Sequence, residues 1–244
     1  MKRCMNKNVL GLLTIMLVCT ICGWAQTGNE FNRDDENSKA VKRMDDAAAD
    51  LNRLTSAPGA GIPDTVLAGA KCVAIVPSLI KGGFVFGAEY GRGVASCRVD
   101  DRWSAPAFFT LAGAEWGAQS GDEDVDLVML FMTRKGADQL MSDNWRIGSD
   151  VGMAAGPWGR EGSVGTDWKV DMGVLTYSRA KGVFTGATLN GANLHVDEQA
   201  MRAVYGARNP SFRHTLSGKT PVPPDAHQFL AAIRQNFHEA AAAK

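Results

Sequence analysis

The sequence has no excess of charge: 26 Lys and Arg stand against 26 Asp and Glu. Residues 1–25 hold Lys2, Arg3 and Lys7 and no acid, so without them 23 basic residues face 26 acidic ones. That balance excludes a globally basic nucleic-acid binder, and any anion site has to be a local patch. Histidine is scarce. His195, His214, His227 and His238 have no metal-ligand spacing and read as structural or solvated side chains. No G-x-S-x-G occurs; Gly148-Ser149-Asp150 and Gly162-Ser163-Val164 do not fit it. Gly218-Lys219-Thr220 ends like a P-loop, but Arg213 stands where the first glycine must be. The acidic run from Asp122 to Asp126 lacks the EF-hand's sixth-position Gly and twelfth-position Glu, for Leu127 and Thr133 stand there. It reads as a solvated acidic turn. Nothing here specifies an enzyme, a metal or a cofactor.

A long apolar run is also missing. Val9 to Cys22 is too short to span a bilayer comfortably, and after Lys2, Arg3 and Lys7 it reads as the core of a signal peptide. Gly23-Trp24-Ala25 puts small residues at −3 and −1, so cleavage is expected before Gln26. A retained anchor is the alternative. Cys19 and Cys22 suggest lipidation but lack the usual small residues before them. Once 1–25 is removed, only Cys72 and Cys97 remain. In an oxidising compartment they are a candidate disulfide; two buried thiols are the other reading.

Glycine is abundant. Of 27 glycines, 19 lie between Gly82 and Gly191, several inside strand patterns. In-strand glycine marks bulges, coiling or close backbone approach. After a Gly82-Gly83 turn, Phe84 to Tyr90 alternates bulky and small residues as a half-buried strand, Gly91 and Gly93 interrupt it, and a second strand, Val94 to Val99, follows. Lys81-Gly82-x-Phe84 recurs as Lys181-Gly182-x-Phe184, which suggests two related hairpins in one sheet.

Read in order, KGGFVFGAEYGRG, WSAP, AAGPWGR (154–160), YSRAKGVFTGATLNG (177–191) and Tyr205-Gly206 resemble the SYLF lipid-binding domain, in its bacterial exported, Ysc84-like form. The resemblance runs from about Ile62 to Gly206. It implies binding to anionic phospholipids, phosphoinositides included, binding to actin in some relatives, and no enzyme activity.

The expected architecture is α+β. A strongly curved, mostly antiparallel glycine-rich sheet, as a sandwich or partial barrel, is flanked by N-terminal and C-terminal helices. Residues 26–37 read as a disordered lead-in, 38–206 as the lipid-binding domain, and 207–244 as an extension whose helix packs on it. The first helix is expected from Ser38 to Leu54, with Val41, Met44, Ala48 and Leu51 on one stripe and Lys39, Lys42 and Arg43 in its first turns. It reads as packed on the sheet or lying on a membrane surface. Lys71 to Val76 is a strand stopped by Pro77, Leu127 to Met132 a strand covered on both faces, and Asp197 the cap of a helix that Gly206 closes from the αL position. Asn209 to Pro223 reads as irregular.

Basic residues beside glycine turns are the candidate site: Lys81, Arg92, Arg160, Arg179 and Lys181, with Lys71, Arg98, Arg102 and Lys169 nearby in sequence. Freed backbone N–H groups form anion nests, and arginine presents a fork that matches phosphate. Trp103 and Trp158, with Trp116, are candidates for the membrane boundary. The expected function is non-enzymatic binding of anionic phospholipid head groups, phosphoinositide- or phosphatidic-acid-like, by an exported periplasmic or extracellular protein peripheral to a membrane. The alternative is a cell-envelope protein-interaction or scaffold module.

Overall fold

The computed structural model describes residues 32–57, 61–82, 86–116, 123–142, 144–147, 151–157, 173–180, 183–185, 189 and 191–242. The architecture is α+β, with a strongly curled mixed sheet that forms a half-barrel and helices toward both termini. Helix α1 covers 32–55 and α2 covers Asp64–Gly69. The long strands are β1 (Cys72–Gly82), β2 (Phe86–Val99), β4 (Ala107–Trp116), β5 (Glu123–Phe131) and β8 (Val174–Ala180). Shorter strands are β3 (Arg102–Trp103), β6 (Asn144–Arg146), β7 (Met153–Ala155), β9 (Val183–Thr185) and β10 (Asn193–Val196). Helices α3 (Arg134–Leu140), α4 (Glu198–Tyr205), α5 (Phe212–Leu216) and α6 (His227–Ala242) complete the described elements.

The strand order is β6-β10-β4-β2-β1-β5-β8-β7, with β3 on β2 and β9 on β8. Only β7–β8 is parallel among the paired strands. The first Lys-Gly-x-Phe falls at the junction of β1 and β2 and the second between β8 and β9, so the first hairpin is β1–β2 and not a fold at Gly91 and Gly93; β5 lies between the two hairpins in the sheet. Strand β5 is apolar on both faces from Leu127 to Phe131 and fully buried there. Most of β1 is equally buried, so the core sits where these two strands pair.

Several expectations are corrected. Pro77 does not stop β1. The strand passes Pro77-Ser78 as a bulge, with Ser78 at φ 54° and a register shift against both neighbours. A bulge is one of the few places where a central strand tolerates proline. Gly91 and Gly93 do not interrupt β2, which runs unbroken in register along β4. They let neighbours close in: a Cβ at Gly93 would stand 2.2 Å from the Phe109 ring, and one at Gly91 would stand 2.4 Å from Val76. The acidic run is not a turn where described; Glu123, Asp124 and Asp126 belong to β5. Finally, 209–223 contains α5, capped by Ser211, whose Oγ accepts from the His214 N–H.

Helix α1 is already helical at 32, ahead of the expected Ser38 start. Its buried stripe is Ala40, Met44, Ala47, Ala48, Leu51 and Leu54, a 3.6-residue period laid on the sheet. Thr133 caps α3, and Asp197 caps α4 as read from sequence. Gly206 does end α4 with positive φ, but at φ 61°, ψ −138° it is outside the αL region. Among the described residues no helix is long and apolar enough to cross a membrane.

Candidate functional site

The bulge at Pro77-Ser78 decides what the sheet presents. Upstream of it, Ile75 pairs with Val94; downstream, Ile80 pairs with Tyr90. The extra residue reverses the alternation, so Ile80 and Tyr90 share the face that α1 covers. The helix does not reach over them. Ile80 is 51% exposed and Tyr90 50%, side by side on paired strands. The next most exposed large apolar side chain among the described residues is Val222, at 38%.

A groove of about 300 Å³ runs between this pair and α1, with Lys42, Arg43, Asp46 and Arg92 along its walls. Arg43 is buried and donates to Asp197 Oδ2 at 3.1 Å and to the Gly93 carbonyl at 3.3 Å. Its guanidinium also lies 5.4 Å from the Phe108 ring centroid. Burial pulls the Arg43 guanidinium below its ordinary pKa, and Asp197 opposes that. Arg92 Nε stands 3.4 Å from the same Asp197 oxygen, and its Nη1 stands 3.6 Å from Glu36. One carboxylate thus pairs with two guanidiniums and caps α4 with its other oxygen. This cluster ties α1 to β2 and to the N-terminus of α4.

The outer cations are held loosely. Lys39 pairs with Asp35 and Glu36, and Lys42, 75% exposed, pairs with Asp46 at 2.6 Å. Side-chain hydrogen bonds to those acids raise both lysine pKa values, so both are charged. Exposed pairs of this kind contribute only about 0–1 kcal/mol each. A phosphate can replace the carboxylate at little cost.

The residues chosen from sequence are not one cluster. Arg92 and Arg179 lie on the α1 face, Arg179 in register with Asp126 of β5. Lys81 projects from the other face, because Glu89 and Arg92 are three residues apart on a regular strand. Its ammonium stands 3.5 Å from buried Glu89, and at 14% side-chain exposure it is not the open lysine expected. Gly113 admits that pair: a Cβ there would stand 2.7 Å from Glu89 Oε1. Trp103 lies toward the other end of β2, against Phe237 with ring centroids 4.7 Å apart. Arg160, Lys181 and Trp158 lie outside the described residues. Cys72 and Cys97 face each other on β1 and β2 and form a disulfide, both sulfurs buried.

Sequence reading missed Tyr90 and Ile80 as site residues, and Asp197 as more than a cap. The Pro-Ser interruption of an apolar strand was the available signal for the first two. For Asp197 no local signal existed, since Arg43 lies 154 residues away.

Residues 112–236 match the family described as Ysc84, Las17-binding protein actin regulator. The chain belongs to the Ysc84 family. It is 33% identical over 176 residues to protein YSC84 of Saccharomyces cerevisiae, an alignment covering 70% of this chain and 37% of that protein. It is 33% identical over 167 residues to LAS seventeen-binding protein 3 of the same species, covering 67% and 36%. It is 32% identical over 214 residues to the human SH3 domain-containing YSC84-like protein 1, covering 85% and 60%. The chain therefore spans between about a third and three fifths of these relatives. The Ysc84 match proper runs from the end of β4 into α6, while the groove is built from α1, β1 and β2 ahead of it.

Proposed function

We propose that the α1 face docks on anionic membrane surfaces, with Ile80 and Tyr90 entering the interface and Lys39, Lys42 and Arg92 meeting head-group phosphates. The observation that carries this is the exposed Ile80–Tyr90 pair beside a cation-bearing groove. Tyrosine suits such a place because its ring is apolar and its hydroxyl stays wet. Each cation near an anionic surface contributes about 1 kcal/mol, so two or three give reversible, salt-sensitive docking. The protein acts by binding and not by catalysis. The signal-peptide reading of residues 1–25 and the Cys72–Cys97 bridge are consistent with an exported protein in an oxidising compartment, peripheral to a membrane. Phosphatidic acid and phosphatidylglycerol are then the head groups to test first, ahead of phosphoinositides.

Vesicle sedimentation tests this. Phosphatidylglycerol or phosphatidic acid vesicles should bind the chain, and phosphatidylcholine vesicles should not. Binding should fall as the Debye length shrinks from about 10 Å to about 3 Å. Tyr90→Ser with Ile80→Ser, both exposed, should weaken it about tenfold or more, and so should Lys39→Glu with Lys42→Glu. Equal binding to neutral vesicles, or none by folded protein, overturns the reading.

A second reading draws on the relatives' descriptions, Las17-binding and actin-regulating: the same face docks a protein. The partner would be an envelope protein, and Tyr90→Ser would then abolish its capture while vesicles leave the chain unbound.

A further inference from the structure

A second cavity, of about 350 Å³, opens far from the groove. Tyr90 and Val99, the latter on its wall, are nine positions apart on β2, about 30 Å of strand length at 3.3 Å per residue. The β2–β3 turn, the 218–222 loop and α6 build it. Trp103 and Leu230 form an apolar wall, and Arg102, Lys219, His227 and Arg234 stand around the opening. All four are exposed.

Charge singles this cavity out. On the α1 face Lys39, Lys42, Arg43, Arg53 and Arg92 are all ion-paired. Arg102, Lys219, His227 and Arg234 make no ion pair among the described residues. Asp101 is the one acid lining the cavity, so with neutral histidine the formal charge is +2. The walls are pinned. Ser104 Oγ accepts from the Cys97 N–H, Thr220 Oγ1 donates to Thr215 Oγ1, and Gly218, at φ +76°, lets the loop lie against Val99. The Trp103 ring packs edge-on against Phe237 and lies 5.4 Å from the Arg98 guanidinium.

We propose that this cavity binds a phosphate monoester, its dianion held by Arg102, Lys219 and Arg234 and its organic part laid against Trp103. Two arginine forks match phosphate oxygens, and a pocket of this size sits at the small end of ligand sites. The ester is either a soluble small molecule or the head group of a lipid; the chemistry is shared. The site is independent of the membrane-docking face.

Titration of the full chain with phenyl phosphate, followed by calorimetry and by tryptophan fluorescence, tests this. Saturable binding is expected, with phenol showing none. Arg102→Gln with Arg234→Gln should weaken it about tenfold or more, without altering the thermal melt, since both side chains are exposed. Tyr90→Ser should leave it unchanged, which separates this site from the docking face. Competition identifies the source: displacement by glycerol 3-phosphate supports a soluble ester, and displacement by phosphatidic acid vesicles alone supports a lipid. Equal affinity in the double variant, or no binding of millimolar phenyl phosphate by folded wild type, overturns the proposal.

Discussion

Replacing Asp197 by Asn removes one negative charge and little else. Asn caps a helix about as well as Asp, so the bond to the Ala200 N–H persists. What is lost is the counter-charge of Arg43, which is buried, and of Arg92, which is half-buried. Breaking a buried ion pair from one side costs about 3–5 kcal/mol, because the remaining charge stays desolvated. The hydrogen bonds that the amide keeps set the expectation near the low end, about 3 kcal/mol. Asp197→Ala should cost about 1 kcal/mol more, through the cap. Arg43→Met with Asp197→Asn should recover much of the loss, since an apolar replacement leaves no buried charge behind. Urea unfolding under non-reducing conditions measures all three. An Asp197→Asn variant as stable as wild type would refute the argument that this carboxylate holds α1 on the sheet. So would a double variant no better than the single one.

Gly93→Ala should cost about 1–3 kcal/mol by overpacking against Phe109, and Phe109→Leu in the same chain should relieve part of it; an unchanged melt would show that the ring yields freely. Opening the disulfide by Cys72→Ala with Cys97→Ala should cost about 3.5 kcal/mol for a 25-residue separation, and non-reducing digestion should yield the linked peptides; free thiols would contradict the bridge. Asp50 gives a pH signature. Burial, then the neighbouring Asp126, push its carboxyl up to about 7, while Arg53 opposes them. A folded pKa above the unfolded one means the contribution is full below about pH 4 and is lost as pH rises through about 7. Asp50→Asn should flatten that decline, and an unaltered pH profile would remove the group from the account.

Periodicity made α1, β5 and α4 legible, since each has a strong local pattern and a recognisable cap or stop. The curled sheet was legible from the density of glycine between 82 and 191. Face assignment was not. Lys81 and Arg92 looked equivalent because both flank glycines, but the face of a strand residue follows from parity, and one bulged residue reverses it. Pro77 looked like a terminator because the bulge conformation of Ser78 has no composition signal of its own. The Arg43–Asp197 pair was hidden for another reason: its members share no local pattern, and only the docking of α1 brings them together. The cavity beside Trp103 joins residues from 99 to 234, a span over which sequence spacing carries no information.

The ties of α1 have a consequence for the order of assembly. Arg43 waits for Asp197, and Asn52 and Thr55 wait for Asn236, which bonds to both across 184 and 181 residues. At synthesis rates of about 5–20 residues per second, the 154 residues between Arg43 and Asp197 take roughly 8–30 s to emerge. Throughout that interval the Arg43 guanidinium lacks its buried counter-charge, and a holding chaperone has a defined target in the unlocked helix. An early helix is thus locked by some of the latest residues of the fold.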